Sequence, residues 1–178
     1  MIEQIKNILP NEINNKIILL LIKSPNWRIA KDHDSDLKLL NDLLDVSGST
    51  YGNSLVTYNG LSNFYLDSPL NYYAEIIYEI VKKHTKHKFL KPVRFYWNYY
   101  NMSASAAPHT DMDENYYVSF VYNLNDNNGG TLINNEFYKS NAGEAIIFNS
   151  NIEHSSVQHT DVKSRFNLNC VVELQRNI

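Results

Sequence analysis

His109 and Asp111, in the run Pro108-His109-Thr110-Asp111, and His154 far downstream are the side chains of this sequence best suited to hold a metal ion. If the run is extended, His109 and Asp111 project from one side of the backbone, because side chains of an extended chain alternate with period two. The third donor comes from the segment 143–154, which reads as a short apolar strand, a polar turn and then His154. Two neutral imidazoles and one carboxylate suit a divalent first-row ion and leave it a Lewis acid. The positions opposite the three donors stay open for chemistry.

Arg165 lies eleven residues beyond His154 and begins the run 165–172, whose alternation predicts a strand. An arginine on an inner wall offers a rigid planar fork to the far end of a dicarboxylate, and only a buried anion justifies its desolvation. Two histidines and a carboxylate on one face of an ion are the arrangement of non-haem Fe(II) oxygenases. With that triad, the dicarboxylate expected is 2-oxoglutarate.

His109-x-Asp111, then Tyr122-Asn123-Leu124-Asn125-Asp126 leading to Gly129-Gly130-Thr131, then the run 143–148, then His154 and Arg165, resemble in order and spacing the Fe(II)- and 2-oxoglutarate-dependent dioxygenases. The similarity is to their prolyl-4-hydroxylase-like branch, and it covers roughly residues 93–174. It implies Fe(II) held by His109, Asp111 and His154, with 2-oxoglutarate chelating the ion and its far carboxylate on Arg165. O2 is the second cosubstrate and ascorbate a stimulating reductant. The implied products are succinate, carbon dioxide and a hydroxylated substrate. That substrate is a peptidyl proline or similar residue of a peptide or protein, with a free amino acid or other small molecule as the alternative.

The resemblance extends to finer positions. His159 competes with His154, but His154 follows the 143–148 strand by one turn and keeps the family-like distance to Arg165. Tyr100 precedes His109 by nine residues, as does a tyrosine lining the cosubstrate pocket of such relatives. Two positions after the basic residue the relatives often place a small hydroxyl residue, where this chain has Asn167. Asn167 and Asn169 share the Arg165 side of their strand, so either amide could donate to the cosubstrate. Asp113 and Glu114 read as a loop at the rim. A non-catalytic metal-binding jelly-roll module, and a metal-dependent hydrolase or isomerase that would not need Arg165, are the rival readings.

The elements that must position these residues divide near Pro92. Upstream, helices are expected over 12–23, with Asn11 as cap, and over 37–46. Another starts at Ser68-Pro69, with Leu70, Tyr73, Ile76, Ile77, Ile80 and Val81 as its apolar stripe. Residues 2–9 read as either a helix or a strand. The stretch 47–60 reads as a surface connection or a lid, with a short strand at 55–58. The basic run 82–88 suits a solvated helix end. Downstream, extended runs at 93–101, 117–124, 131–133, 144–148 and 166–174 suggest a mainly β fold, a double-stranded β-helix or jelly roll, buttressed by N-terminal helices. On the first of these strands Tyr96, Asn98 and Tyr100 share one face, and Phe95, Trp97 and Tyr99 the other.

A chain of 178 residues fits one domain over 1–178, with 1–91 as helical support and loops and 92–178 as the catalytic core. A net charge of -3 gives no global attraction to nucleic acid or to anionic membrane. The longest apolar run, 17–22, is far short of the roughly 20 residues that span a bilayer. A single cysteine suits a reducing compartment, and no signal peptide stands at residue 1, so a soluble cytoplasmic protein is expected.

Overall fold

The extended pattern that begins near Pro92 becomes two of the longest strands in a computed structural model, which describes residues 2–25, 28–29, 53–102 and 104–176. In chain order the strands are β1 (Glu3–Ile5), β2 (Arg28–Ile29), β3 (Asn53–Asn59), β4 (Phe64–Tyr65), β5 (Phe89–Asn101) and β6 (Tyr117–Asn123). They continue as β7 (Gly130–Ile133), β8 (Glu136–Lys139), β9 (Ala145–Asn149), β10 (His154–Val157) and β11 (Ser164–Leu174). The helices are α1 (Asn11–Lys23) and α2 (Pro69–His84). The large sheet runs β1-β9-β6-β11-β5-β3-β2, with β4 paired to β3, and the small sheet runs β10-β7-β8. Every pairing is antiparallel. This is the double-stranded β-helix expected.

The large sheet is covered on both faces, which is why β6 and β11 read as almost unbroken buried runs. Its outer face carries Phe95 and Trp97 of β5, Phe120 and Tyr122 of β6, and Leu168 and Cys170 of β11, packed against Ile17 and Leu21 of α1 and Ile77 and Val81 of α2. The Tyr122 hydroxyl donates to Asn14 Oδ1 at 2.6 Å, which fixes α1 on the sheet without leaving that buried phenol unsatisfied. Its inner face meets the small sheet through a second cluster, Val121, Ile146 and Phe148 against Ile133.

Local chemistry explains where elements begin. Ser68 caps α2 by accepting from the Leu70 N–H, and Pro69 occupies the first turn where its missing N–H costs nothing. The buried stripe is Leu70, Ala74, Ile77, Tyr78 and Val81, so it is turned slightly from the expected one and leaves Ile76 exposed. α1 starts one residue earlier than expected. Pro10 occupies the cap position and its carbonyl accepts from Ile13 and Asn14, so Asn11 is helical rather than capping. Residues 3–5 are a strand because β9 offers them an edge. Asn53–Asn59 is likewise a full strand on β5 rather than part of a loop, so the N-terminal half contributes strands to the same sheet. The expected helix at 37–46 and residues 47–52 lie outside the described residues.

In the small sheet, Asn134 and Asn135 take φ of 49° and 65° and close β7 onto β8, the two positive values a two-residue type I′ turn demands. Gly130 opens β7 where a side chain has no room. A Cβ there would collide with the Tyr138 carbonyl oxygen and the Phe137 ring. Gly130→Ala is therefore expected to lower stability by about 1–3 kcal/mol. A thermal melt equal to that of the wild type would contradict so close an approach of β7 and β8.

Candidate active site

The two histidines are each other's backbone partners. The His109 N–H donates to the His154 carbonyl at 3.0 Å, and the His154 N–H returns the bond at 2.9 Å. The segment around His109 is therefore not a continuous strand but a single antiparallel bridge on the outer side of β10, whose other side pairs with β7. Two residues on, the Asp111 N–H donates to the Ser150 carbonyl at 2.9 Å. The run 109–111 is thus stapled along 150–154, and the alternation expected from sequence brings the carboxylate beside the imidazoles.

Each imidazole is oriented from behind. His109 Nδ1 lies 2.8 Å from the Ala107 carbonyl and His154 Nδ1 3.1 Å from that of Ile152. A carbonyl only accepts, so Nδ1 of each ring carries the proton and Nε2 presents its lone pair. His154 Nε2 is buried with no hydrogen-bond partner, and it sits 3.5 Å from Asp111 Oδ2. Donor atoms of His109, Asp111 and His154 all lie within 4.8 Å of one another. A buried lone pair without a donor, next to a second imidazole and a carboxylate, fits a divalent cation.

Asp111 is the most heavily supported of the three. Its side chain is 2% exposed, and its Oδ1 accepts from Arg94 Nη2. Its Oδ2 accepts from Ser119 Oγ at 2.5 Å and from Asn169 Nδ2 at 3.3 Å. Burial alone would raise the carboxyl, but the Arg94 guanidinium, then His154 and the Ser119 hydroxyl, hold it below the ordinary value. Burial lowers His154 in turn, against the pull of the Asp111 carboxylate, so the ring is neutral at neutral pH. Neither Arg94 nor Ser119 stands out in the sequence. The available signal was alternation, which puts Arg94 on the β5 face of Tyr96, Asn98 and Tyr100.

Farther along the inner wall, Arg165 is 1% exposed. Its Nη1 donates to the carbonyls of Gly130 at 2.7 Å and Val157 at 3.2 Å, and its Nη2 reaches Thr131 Oγ1 at 3.5 Å. Its Nε has no partner, and among the described residues no carboxylate pairs with it. Tyr100 lies directly across the strand pair, its ring centroid 5.3 Å from the guanidinium carbon. Asn167 accepts from Asn98 Nδ2 at 2.9 Å, and Asn98 Oδ1 accepts from Ser54 at 2.6 Å. Asn169, one of the two amides considered for the cosubstrate, is instead used on Asp111. His159 is fully buried with both ring nitrogens unbonded, lies outside the donor cluster, and is lowered by burial and by Arg165. Asp113 and Glu114 are exposed on the connection before β6.

No family model and no curated protein matches the sequence. The structure does match solved ones. A Pseudomonas putida prolyl-4-hydroxylase aligns at 13% identity with a TM-score of 0.59, covering 98% of this chain and 93% of that one. A Trichoplax adhaerens prolyl hydroxylase, solved with a hypoxia inducible factor peptide fragment, aligns at 13% identity and TM-score 0.67, over 97% of this chain and 83% of that one. The epimerase SnoN, solved with Fe3+, alpha ketoglutarate and nogalamycin RO, aligns at 11% identity and TM-score 0.66, over 97% and 78%. The chain thus has the double-stranded β-helix of the 2-oxoglutarate- and Fe(II)-dependent oxygenases, prolyl hydroxylases among them.

Proposed function

We propose that this chain is an Fe(II)- and 2-oxoglutarate-dependent dioxygenase, a single domain over 1–178 that hydroxylates its substrate. The observation that carries the reading is Arg165, a buried guanidinium with only neutral partners among the described residues, on the same inner wall as an assembled His-Asp-His triad. Burying a cation of this kind costs stability that a matching anion would offset. A hydrolase or isomerase built on the triad alone would have no use for it.

His109, Asp111 and His154 would hold the ion, and Arg165, Tyr100 and Asn167 the cosubstrate. When bound, Fe(II), 2-oxoglutarate and O2 supply the oxidation itself, with loss of carbon dioxide from the cosubstrate. The chain supplies placement. Backbone pairing fixes the spacing of the imidazoles, the Ala107 and Ile152 carbonyls aim their lone pairs, and Ser119 and Asn169 hold the carboxylate. Arg165 offers Nε and Nη2 to a distal carboxylate while Nη1 stays anchored to backbone carbonyls. The Ser54–Asn98–Asn167 ladder consumes the Asn167 carbonyl and so turns its amide N–H2 toward a partner other than Asn98.

A peptidyl proline is the substrate this reading favours, supported by the two prolyl hydroxylases of like fold, one solved with a peptide. A small molecule is the alternative, supported by the SnoN complex with nogalamycin RO. Among the described residues no helix is long and apolar enough to cross a membrane. The buried free thiol of Cys170 agrees with a reducing, cytoplasmic location.

Anaerobic titration with Fe(II) and then 2-oxoglutarate should develop the visible metal-to-ligand charge-transfer band, and His109→Ala should abolish it. Arg165→Ala should keep Fe(II) binding and weaken 2-oxoglutarate binding by about tenfold to a hundredfold, as expected for lost charge-assisted hydrogen bonds. An undiminished band in the Arg165 variant would remove the carboxylate assignment. Succinate release with proline peptides against small amines then separates the two substrate classes.

Protons compete for the same site. His154, lowered by burial, takes a proton only below the ordinary histidine value of 6.5. Proton competition at His154 should therefore cost Mn(II) affinity little at neutral pH and appear only below about 6.5. The protein without metal should weaken over the same range. His87, His154 and His159 are all lowered by burial, so below 6.5 the unfolded chain binds protons that the folded one refuses. Asp111 adds a further loss below 3.8, because its depressed value stabilises the fold only while the carboxylate stays charged. Melting temperatures independent of pH between 7 and 5 would count against buried neutral histidines.

A further inference from the structure

Arg94 is the second buried arginine of the inner wall, and the dioxygenase reading gives it no task. It is 9% exposed, lies 4.7 Å over the ring of Tyr96 and leaves its Nε unbonded. Its place follows from alternation, since the β5–β11 register is unbroken from Arg94 to Asn101. Opposite β11, Val172 pairs with Pro92 and Val171 with Arg94, so Val93 is the extra residue where a proline cannot extend the ladder. The irregularity ends before Arg94, which stays on the inner face with Tyr96, Asn98 and Tyr100.

The two oxygens of Asp111 are divided between two kinds of neighbour. Oδ1 accepts from Arg94, whereas Oδ2 is the oxygen 3.5 Å from His154 Nε2. An ion among the three donors and the guanidinium therefore approach the same carboxylate from its two ends. Arg94 is the only cationic partner that carboxylate has among the described residues besides the histidines. Ser119 and Asn169 also hold the carboxylate, but they are neutral and repel no cation. A fixed positive charge on the far oxygen does repel one, by an amount that matters at low effective dielectric.

Building on the metal reading of the triad, we propose that Arg94 is a positioning residue. It keeps Asp111 aimed at the two histidines before a metal arrives and, by sharing that carboxylate's charge, limits the affinity of the site for divalent cations. The site is thereby ordered without being a trap.

The test compares Mn(II) affinity of the wild type, Arg94→Gln and Arg94→Lys by the electron-paramagnetic signal of free Mn(II) at fixed pH and salt. Glutamine can still donate to Oδ1 but carries no charge. Arg94→Gln is expected to bind Mn(II) about tenfold more tightly than wild type, and Arg94→Lys within about threefold of it. The metal-free Gln variant should melt below the wild type, and Mn(II) should raise its melting temperature by more. Equal or weaker Mn(II) binding by a folded Gln variant overturns the proposal. Should that variant not fold, the wild type decides: the Arg94 guanidinium protons should be protected from water exchange in nitrogen-15 spectra both without metal and with Zn(II), and loss of protection on adding Zn(II) overturns it. A wild type that binds no Mn(II) at all would instead remove the metal reading on which the proposal rests.

Discussion

The reciprocal pair of backbone hydrogen bonds between His109 and His154 is the constraint on which the site depends. It welds a connection after β5 to the first residue of β10, and so ties the two imidazoles to the small sheet. The carboxylate, by contrast, is held from the large sheet, by Arg94 of β5, Ser119 of β6 and Asn169 of β11. The donor set is therefore a seam between the sheets. Anything that loosens their packing at Val121, Ile133, Ile146 and Phe148 moves nitrogen donors relative to the oxygen donor.

The large sheet separates stabilisation from function by face. Its outer face holds the aromatic and aliphatic side chains that bury against α1 and α2, and this is where the hydrophobic driving force is concentrated. Its inner face carries Arg94, Asn98, Arg165, Asn167 and Asn169, side chains that are expensive to bury and are held by hydrogen bonds to one another, to Asp111 or to the small-sheet side. Such a wall is tolerable only because the opposite face pays in packing what this one loses in desolvation.

Much of this was legible in the sequence, for identifiable reasons. The candidate donors His109 and Asp111 stand two residues apart, and His154 rather than His159 joins their cluster because only it stands at the end of the turn that follows β9. α2 announced itself through Ser68-Pro69 and its period, and the five extended runs became strands at close to their expected limits. Arg94 was hidden because alternation gives only its face, and its importance arises from a partner seventeen residues away, which neither composition nor period reveals. Asn169 and Ser119 were hidden for the same reason, since their partner is a side chain across the sheet. β1 and β3 were underestimated because a short segment becomes a strand when an edge is offered to it, which is a tertiary event.

The donor set also bears on which ion could occupy it. Both rings are tethered through Nδ1, the carboxylate is gripped at both oxygens, and no thiolate takes part, so the site has little freedom to reshape itself around a particular ion. Nitrogen and oxygen donors of this kind follow the Irving–Williams order, in which iron(II) ranks below cobalt, nickel and copper. Selection by affinity is thus closed to this protein. Under the metal reading proposed above, the occupant would be decided by which ions the surrounding solution leaves free.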